Sequence, residues 1–358
     1  MTLWSVRGFI TNRTFTDYCY SSHSGYRDCR ASDRPDSSLR GLLTVEEIHS
    51  TSTQAMLVVL SDLSSELIRR QLPCGGWSAL LSCAQAALEP TCYSLLALGT
   101  QAADVRERAR TFLLHAQNPN GSWPVFAGDD HEGSWLTSLV AITLRDFVSA
   151  IPARLKGFHW LLTNAGQEGD WFWKWKFRTT DRHVQFDPDK FGWPWFPATV
   201  SWVVPTAFAT LALNQFPCSC GGFELTPSRV DRGVDMLIDR ACPGGGWNAG
   251  NGVVYGTAVA PHCDDTAIAL LALHNRPQHP ITQTGLKYLE RTSPTVTAPW
   301  SLAWAILALA AYRRPISVLR RALLDLPDLF YLDDTSTLAL VCLALDHEQA
   351  LANIGVTP

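Results

Sequence analysis

Two adjacent carboxylates, Asp264 and Asp265, stand in the stretch Pro261-His262-Cys263-Asp264-Asp265-Thr266-Ala267, which leads into the apolar run Ile268-Ala269-Leu270-Leu271-Ala272-Leu273. Such a run predicts a helix buried on all sides, with the acid pair in its first turn. Negative charge is welcome there on the orphan N–H groups and the helix dipole alone, so helix capping is one reading. The other reading is acid catalysis. A free Asp titrates at about 3.9 and is ionised at neutral pH. Two carboxylates in a dry site cannot both ionise cheaply, and a proton is retained for transfer. One carboxyl of the pair is then a candidate proton donor, with the other carboxylate and His262 beside it. A neutral His262 exchanges hydrogen bonds with the pair, whereas an imidazolium would favour ionised Asp264 and disarm it. Trp135, Phe208, Trp300 and Trp304 lie at or near the starts of other apolar segments, where aromatic faces would stabilise a developing cation. With Thr266 they form the candidate substrate-facing set.

The segments that must position these residues repeat along the chain. Thr91-Cys-Tyr-Ser-Leu-Leu-Ala-Leu98, Thr137-Ser-Leu-Val-Ala-Ile-Thr-Leu144, Thr206-Ala-Phe-Ala-Thr-Leu-Ala-Leu213 and Thr266-Ala-Ile-Ala-Leu-Leu-Ala-Leu273 align on their Thr. Leu302-Ala-Trp-Ala-Ile-Leu-Ala-Leu309 continues the series without Thr, and a looser sixth segment begins at Asp333-Asp334-Thr335. Amphipathic segments alternate with them: 104–117, 152–165, 229–241, 282–291 and 316–326, preceded by a helical pattern from Thr44. Buried helices alternating with half-exposed ones predict an all-α, two-layer architecture: a single (α/α)6 toroid with six inner and six outer helices. Closure of the ring is not written in the sequence.

A second pattern accompanies the outer segments. Arg108-Ala109-x-x-Phe112-Leu113-x-x-x-Gln117-x-x-x-Gly121-x-Trp123 recurs from Lys156 to Gly169-x-Trp171 and from Arg232 to Gly245-x-Trp247; Gln71-x-x-x-Gly75-x-Trp77 opens the series. Gln can bond a neighbouring helix end, Gly permits a tight turn, and Trp can stack on the Gln. This resembles the QW motif of the squalene–hopene and oxidosqualene cyclases, shared more loosely with prenyltransferase β-subunits, and the likeness spans roughly residues 44–347. Class II terpene cyclases carry Asp-x-Asp-Asp-Thr-Ala, whose central Asp protonates an alkene or epoxide. Here His262 replaces the first Asp, while Asp264, Asp265, Thr266 and Ala267 fit, so the resemblance implies Asp264 as the general acid, tuned by Asp265 and His262. The resemblance implies an acid-initiated cyclase or isomerase acting on an isoprenoid or polyene in a central aromatic-lined cavity. Its rivals are a zinc-dependent prenyltransferase-like subunit with a partner chain, and a non-catalytic toroid that binds lipid or protein. Two such barrels make a full-length triterpene cyclase, and this chain has one.

Composition narrows the remaining classes. Of 358 residues, 46% are hydrophobic and 17% charged, so much of the chain must be buried; the net charge of −4 and the lack of a basic run exclude a nucleic-acid partner. The ten Cys form no dense framework, and the start lacks a signal-peptide pattern, so a cytoplasmic location is expected. No metal site is assigned: Cys218, Cys220, Cys242, His262 and Cys263 lack the spacing of a zinc set. No cofactor is expected, and Mg2+ enters only if the substrate is a diphosphate. The partner is a hydrophobic isoprenoid; peripheral membrane contact and a partner subunit are compatible with the sequence. Residues 1–40 read as a polar tail and 41–358 as the toroid. The insertion Trp171-Phe172-Trp173-Lys174-Trp175 through Gly192-Trp193-Pro194-Trp195 is placed as a roof over one mouth.

Overall fold

The computed structural model describes residues 45–180, 185–216, 226–326, 329 and 332–357. The tail, with Cys19 and Cys29, and the pair Cys218 and Cys220 lie outside the described residues. From His49 onward the chain forms one compact unit. Its inner layer is α2 (Leu88–Ala97), α4 (Leu136–Thr143), α7 (Val203–Asn214), α9 (Cys263–Ala272), α11 (Pro299–Ala311) and α13 (Thr335–Leu345). The outer layer is α1 (Val45–Arg69), α3 (Ala103–His115), α5 (Ile151–Thr163), α8 (Thr226–Asp239), α10 (Pro280–Thr292) and α12 (Ser317–Leu324). Each inner helix packs on the next in chain order, and α13 packs back on α2, so the ring is closed. The closing seam is stitched by Thr335 N–H to Ala79 O at 2.9 Å and Leu81 N–H to the Asp333 carboxylate at 2.9 Å. The inner helices are apolar and Ala-rich, which lets them pack closely on both flanks.

The repeated Thr and Trp prove to be two halves of one clasp. In four repeats the Thr hydroxyl accepts the backbone N–H of the Trp at 2.9 Å: Thr91 from Trp77, Thr137 from Trp123, Thr206 from Trp193, Thr266 from Trp247. Each indole N–H in turn donates to a carbonyl near the end of an outer helix: Leu67, Leu113, Leu161 and Leu237 at 2.7–2.8 Å. All four rings are fully buried, and at about 25 cal/mol per Å2 each burial contributes about 4 to 6 kcal/mol. Gln71 and Gln117 span the gap to the next outer helix: Gln117 Nε2 donates to Gly121 O and Ala153 O, at 2.9 and 2.8 Å. Gly121 must be Gly, because its φ is +91° and a Cβ would meet Lys156 O at 2.6 Å.

One repeat departs from its sequence pattern. Gly169-x-Trp171 is not the third clasp: Trp171 is 78% exposed, and the indole bonded to Leu161 belongs to Trp193. An insertion separates the outer helix from its own Trp, and a local pattern search stops at the first Gly-x-Trp it meets. Where Gln would stand, the repeat has Ala165. Arg229 from α8 supplies the tie instead, donating to Gly192 O at 2.7 Å with its guanidinium 3.5 Å from the Trp193 ring centre.

The insertion also divides in two. Trp195 packs edge-on against Trp135, with ring centres 5.2 Å apart, and its carbonyl accepts the Trp135 N–H, so this part meets the start of α4. Helix α6 (Trp171–Thr179) does not serve as a roof: Trp171, Phe172 and Trp175 face solvent. At the opposite end of the ring, α14 (His347–Asn353) packs on α2, α11 and α13. Asn353 Nδ2 bonds Leu96 O, and Gln215 Nε2 bonds Ile354 O. The C-terminal segment therefore plugs the end of the ring where the inner helices finish. The opposite end, where they begin, is the one left partly open.

Candidate functional site

Register places the chemistry at that open end. Residues four apart share a helix face, and two tiers follow from the aligned Thr. The upper tier, two residues before it, holds Glu89, Trp135, Val204, Asp264, Asp333 and, on the Thr-less repeat, Trp300. The lower tier, two residues after it, holds Tyr93, Leu139, Phe208, Ile268, Thr337 and, on the Thr-less repeat, Trp304. The upper tier is partly to fully exposed, and the lower one is buried except for the half-buried Thr337. The four aromatic residues singled out in the sequence are brought into one network: Trp135 meets Phe208 at 5.4 Å, Phe208 meets Trp304 at 5.9 Å, and Trp304 meets Trp300 at 6.0 Å between ring centres. Two members were missed. Tyr93 contacts both Trp300 and Trp304, and Trp195 extends the network through Trp135.

These rings pack against one another instead of lining a wide central cavity. Phe208 on α7 and Trp304 on α11 touch over intervening α9. Two hollows found among the described residues, about 420 and 230 Å3, lie instead toward the far ends of the inner helices, beside Asn214 and Ala272 and beside Leu96 and Thr143. One polar atom in the network is left over. The indole N–H of Trp304, a residue only 3% exposed, has no acceptor among the described residues.

Helix α9 positions the acid pair. His262 is its N-cap residue by backbone, with φ −106° and ψ 150°, and no side chain caps the helix. Asp264 is therefore a first-turn residue but not the cap, and it has no hydrogen-bond partner among the described residues. Asp265 points elsewhere: its Oδ2 lies 2.9 Å from His262 Nδ1, which donates to it. Burial pushes the Asp265 carboxyl above the usual carboxylate range; the His262 bond pulls it back, and the charge of Asp264 pushes it up. The same bond raises His262 above the ordinary histidine value, although its side chain stays 58% exposed. The imidazole thus bonds Asp265 and not Asp264, but the Asp264 charge adds to the rise of His262, and the imidazolium so favoured works against a protonated Asp264. Beside them the Cys263 thiol is pushed up to about 12 by burial and lies 3.9 Å from Ser301 O on α11.

Thr266 does not belong to the substrate-facing set. It is fully buried, and its hydroxyl is occupied by Trp247, accepting from N–H and lying 3.2 Å from the carbonyl. The repeated Thr was the available signal: a residue present in four aligned segments serves the repeat, not one site. The other acidic helix start behaves as a cap. Asp334 accepts the Thr337 N–H at 2.5 Å, and Asp333 is taken by Leu81. Among the described residues no three His, Cys, Asp or Glu side chains converge on a point suited to a metal ion, and Cys242 is instead approached by Asn248 Nδ2.

The fold has solved counterparts. Over 84% of this chain and 99% of the other, it matches a point variant of the type II terpene cyclase MstE from Scytonema, in complex with merosterolic acid A as product, at a TM-score of 0.53 and 14% identity. A second point variant of the same enzyme, in its apo form, matches at 0.52 and 11%, over 85% and 99% of the two chains. No protein-family model and no curated protein matches the chain. At such identities the likeness speaks for architecture alone. The chain has an all-α toroid of the kind found in type II terpene cyclases.

Proposed function

We propose that this protein is an acid-initiated cyclase or isomerase of class II type, acting on an isoprenoid or similar polyene, with Asp264 as the general acid. One observation carries the reading most: a carboxyl with no hydrogen-bond partner among the described residues stands in the same tier as Trp135 and Trp300, above a buried aromatic network. Aromatic faces stabilise a carbocation where water would trap it. His262, open to solvent on one side and bonded to Asp265 on the other, gives the acid pair a route for recharging with protons. No cofactor takes part, and Mg2+ would be needed only to hold a diphosphate. A binding toroid without chemistry is the second reading, favoured by the closure of Phe208 on Trp304. Incubation with farnesol, geranylgeraniol, squalene and their terminal epoxides separates the two. The expected result is a cyclised product of the same mass as its substrate; tight binding without conversion would favour the second reading.

Substrates of this kind partition into membranes, and α6 offers a means of reaching them. Trp171, Phe172 and Trp175 form an exposed face on a helix that also carries Lys174, Lys176 and Arg178. Aromatic residues with basic neighbours favour the interface of an anionic bilayer. No helix among the described residues is long and apolar enough to cross a membrane, so the contact would be peripheral. Co-sedimentation with phosphatidylserine-containing vesicles is expected for the wild type, and should fall at least severalfold when Trp171, Phe172 and Trp175 are all changed to Ser. Equal sedimentation of the two would remove α6 from this role.

A further inference from the structure

Besides Asp264 the upper tier holds two carboxyls, of which Asp333 is bonded to Leu81 and Glu89 is not so engaged. Glu89 occupies on α2 the register position that Asp264 occupies on α9. The inner helices follow one another round the ring in the order α2, α4, α7, α9, α11, α13, so the two acids stand on opposite walls. One turn below Glu89 is Tyr93, whose ring meets both Trp300 and Trp304. Among the described residues Glu89 has no hydrogen-bond partner. An independent feature points to a missing partner: among the described residues the Trp304 indole N–H, buried within this network, lacks an acceptor. A buried donor of that kind is normally satisfied, here by a ligand atom or an ordered water.

We propose that Glu89 is the proton acceptor that ends the reaction begun by Asp264. The inference rests on the acid-initiated reading above. In the first step the π electrons of a substrate alkene form a C–H bond with the proton of the Asp264 carboxyl, leaving a carbocation and the Asp264 carboxylate. Ring closure then moves the positive charge along the substrate toward the opposite wall. Finally a C–H bond next to the cation breaks, its electron pair becomes a new alkene, and the proton passes to the Glu89 carboxylate. Substrate and product have the same composition, and both acids are reset by proton exchange at the partly open mouth.

The electrostatics suit a base that works near neutrality. Glu89 keeps some accessible surface, yet enough protein surrounds it for burial to raise it to about 7, and the charge of Asp334 adds to the shift. Other groups near it leave that balance alone. Tyr93 and Cys92 on its own helix are pushed up by burial and stay neutral, and on α13 Asp333 is bonded to Leu81. On α4 the upper-tier neighbour is Trp135, which does not titrate.

Glu89→Gln, Asp334→Asn and Asp264→Asn test the assignment. With a substrate the wild type converts, Glu89→Gln should keep consuming it while the product shifts at least tenfold toward water-trapped alcohols or displaced alkenes. Asp264→Asn should stop consumption. An unchanged product distribution in Glu89→Gln would overturn the proposal; if Asp264→Asn is also fully active, the acid reading itself has failed. A second measurement needs no substrate. Infrared titration of the wild type should show a protonated carboxyl band, absent in Glu89→Gln, that disappears with a midpoint near 7 and moves to lower pH in Asp334→Asn. A midpoint in the ordinary carboxylate range would also overturn it. Melting temperatures provide a further check. An acid raised on folding stabilises fully below about 4.5 and loses that contribution as pH climbs through 7, so Glu89→Gln should gain on the wild type above pH 7.

Discussion

Asp264→Asn is expected to reduce product formation by orders of magnitude while the melting temperature stays close to that of the wild type. The amide has the size of the carboxylic acid but no acidic proton to give, so an acid-initiated reaction loses its first step. Stability should barely respond. Asp264 caps nothing, its side chain has no hydrogen-bond partner among the described residues, and the backbone N-cap is His262. Asp333→Asn is the matched control, since its Oδ1 serves only the Leu81 N–H and an amide oxygen can still accept. Turnover there should remain within a small factor of the wild type. Product quantification by mass spectrometry with thermal melts on all three proteins decides the matter. Full activity in Asp264→Asn would leave the likeness to terpene cyclases at the level of fold.

Trp193→Ala is expected to cost about 3 to 5 kcal/mol, the range for removing a large buried aromatic side chain. Three contacts go together: the indole bond to Leu161 O, the packing against Gly233, and the face over which Arg229 lies. Trp171→Ala should stay within about 0.5 kcal/mol, because that side chain is exposed. Urea unfolding of the two variants measures both. The opposite ranking would return the third clasp to Gly169-x-Trp171. A stability loss shared equally would mean that α6 is packed where it now faces water.

Much of this architecture was legible in the residues. The Thr-anchored runs at Thr91, Thr137, Thr206 and Thr266 became inner helices, and the sixth, from Thr335, did so too. Their composition left no alternative: segments apolar on every side have to be enclosed, and amphipathic neighbours have to enclose them. Trp135, Phe208, Trp300 and Trp304 were chosen for their position along those helices, and they meet because the helices share a register. Gln117 reaches the start of α5 as its place in the pattern implied.

What only the tertiary structure decided involves partners distant in sequence. Ring closure depends on Ala79 and Leu81 meeting Thr335 and Asp333, and no local pattern encodes a contact between opposite ends of the chain. The third clasp eluded the pattern because an insertion moved its Trp to position 193, while a decoy remained at 171. Thr266 looked like a site residue until its hydroxyl was found against the Trp247 backbone. Glu89 shows the difference most directly. In the sequence it is an acid before a Pro at a helix start, indistinguishable from an ordinary first-turn carboxylate. Its burial and the charge of Asp334 come from the closing of the ring, which brings α13 against α2. Periodicity determines which face of a helix is buried, but the proton affinity of a carboxyl depends on what surrounds it in space, and the closed ring alone supplies that.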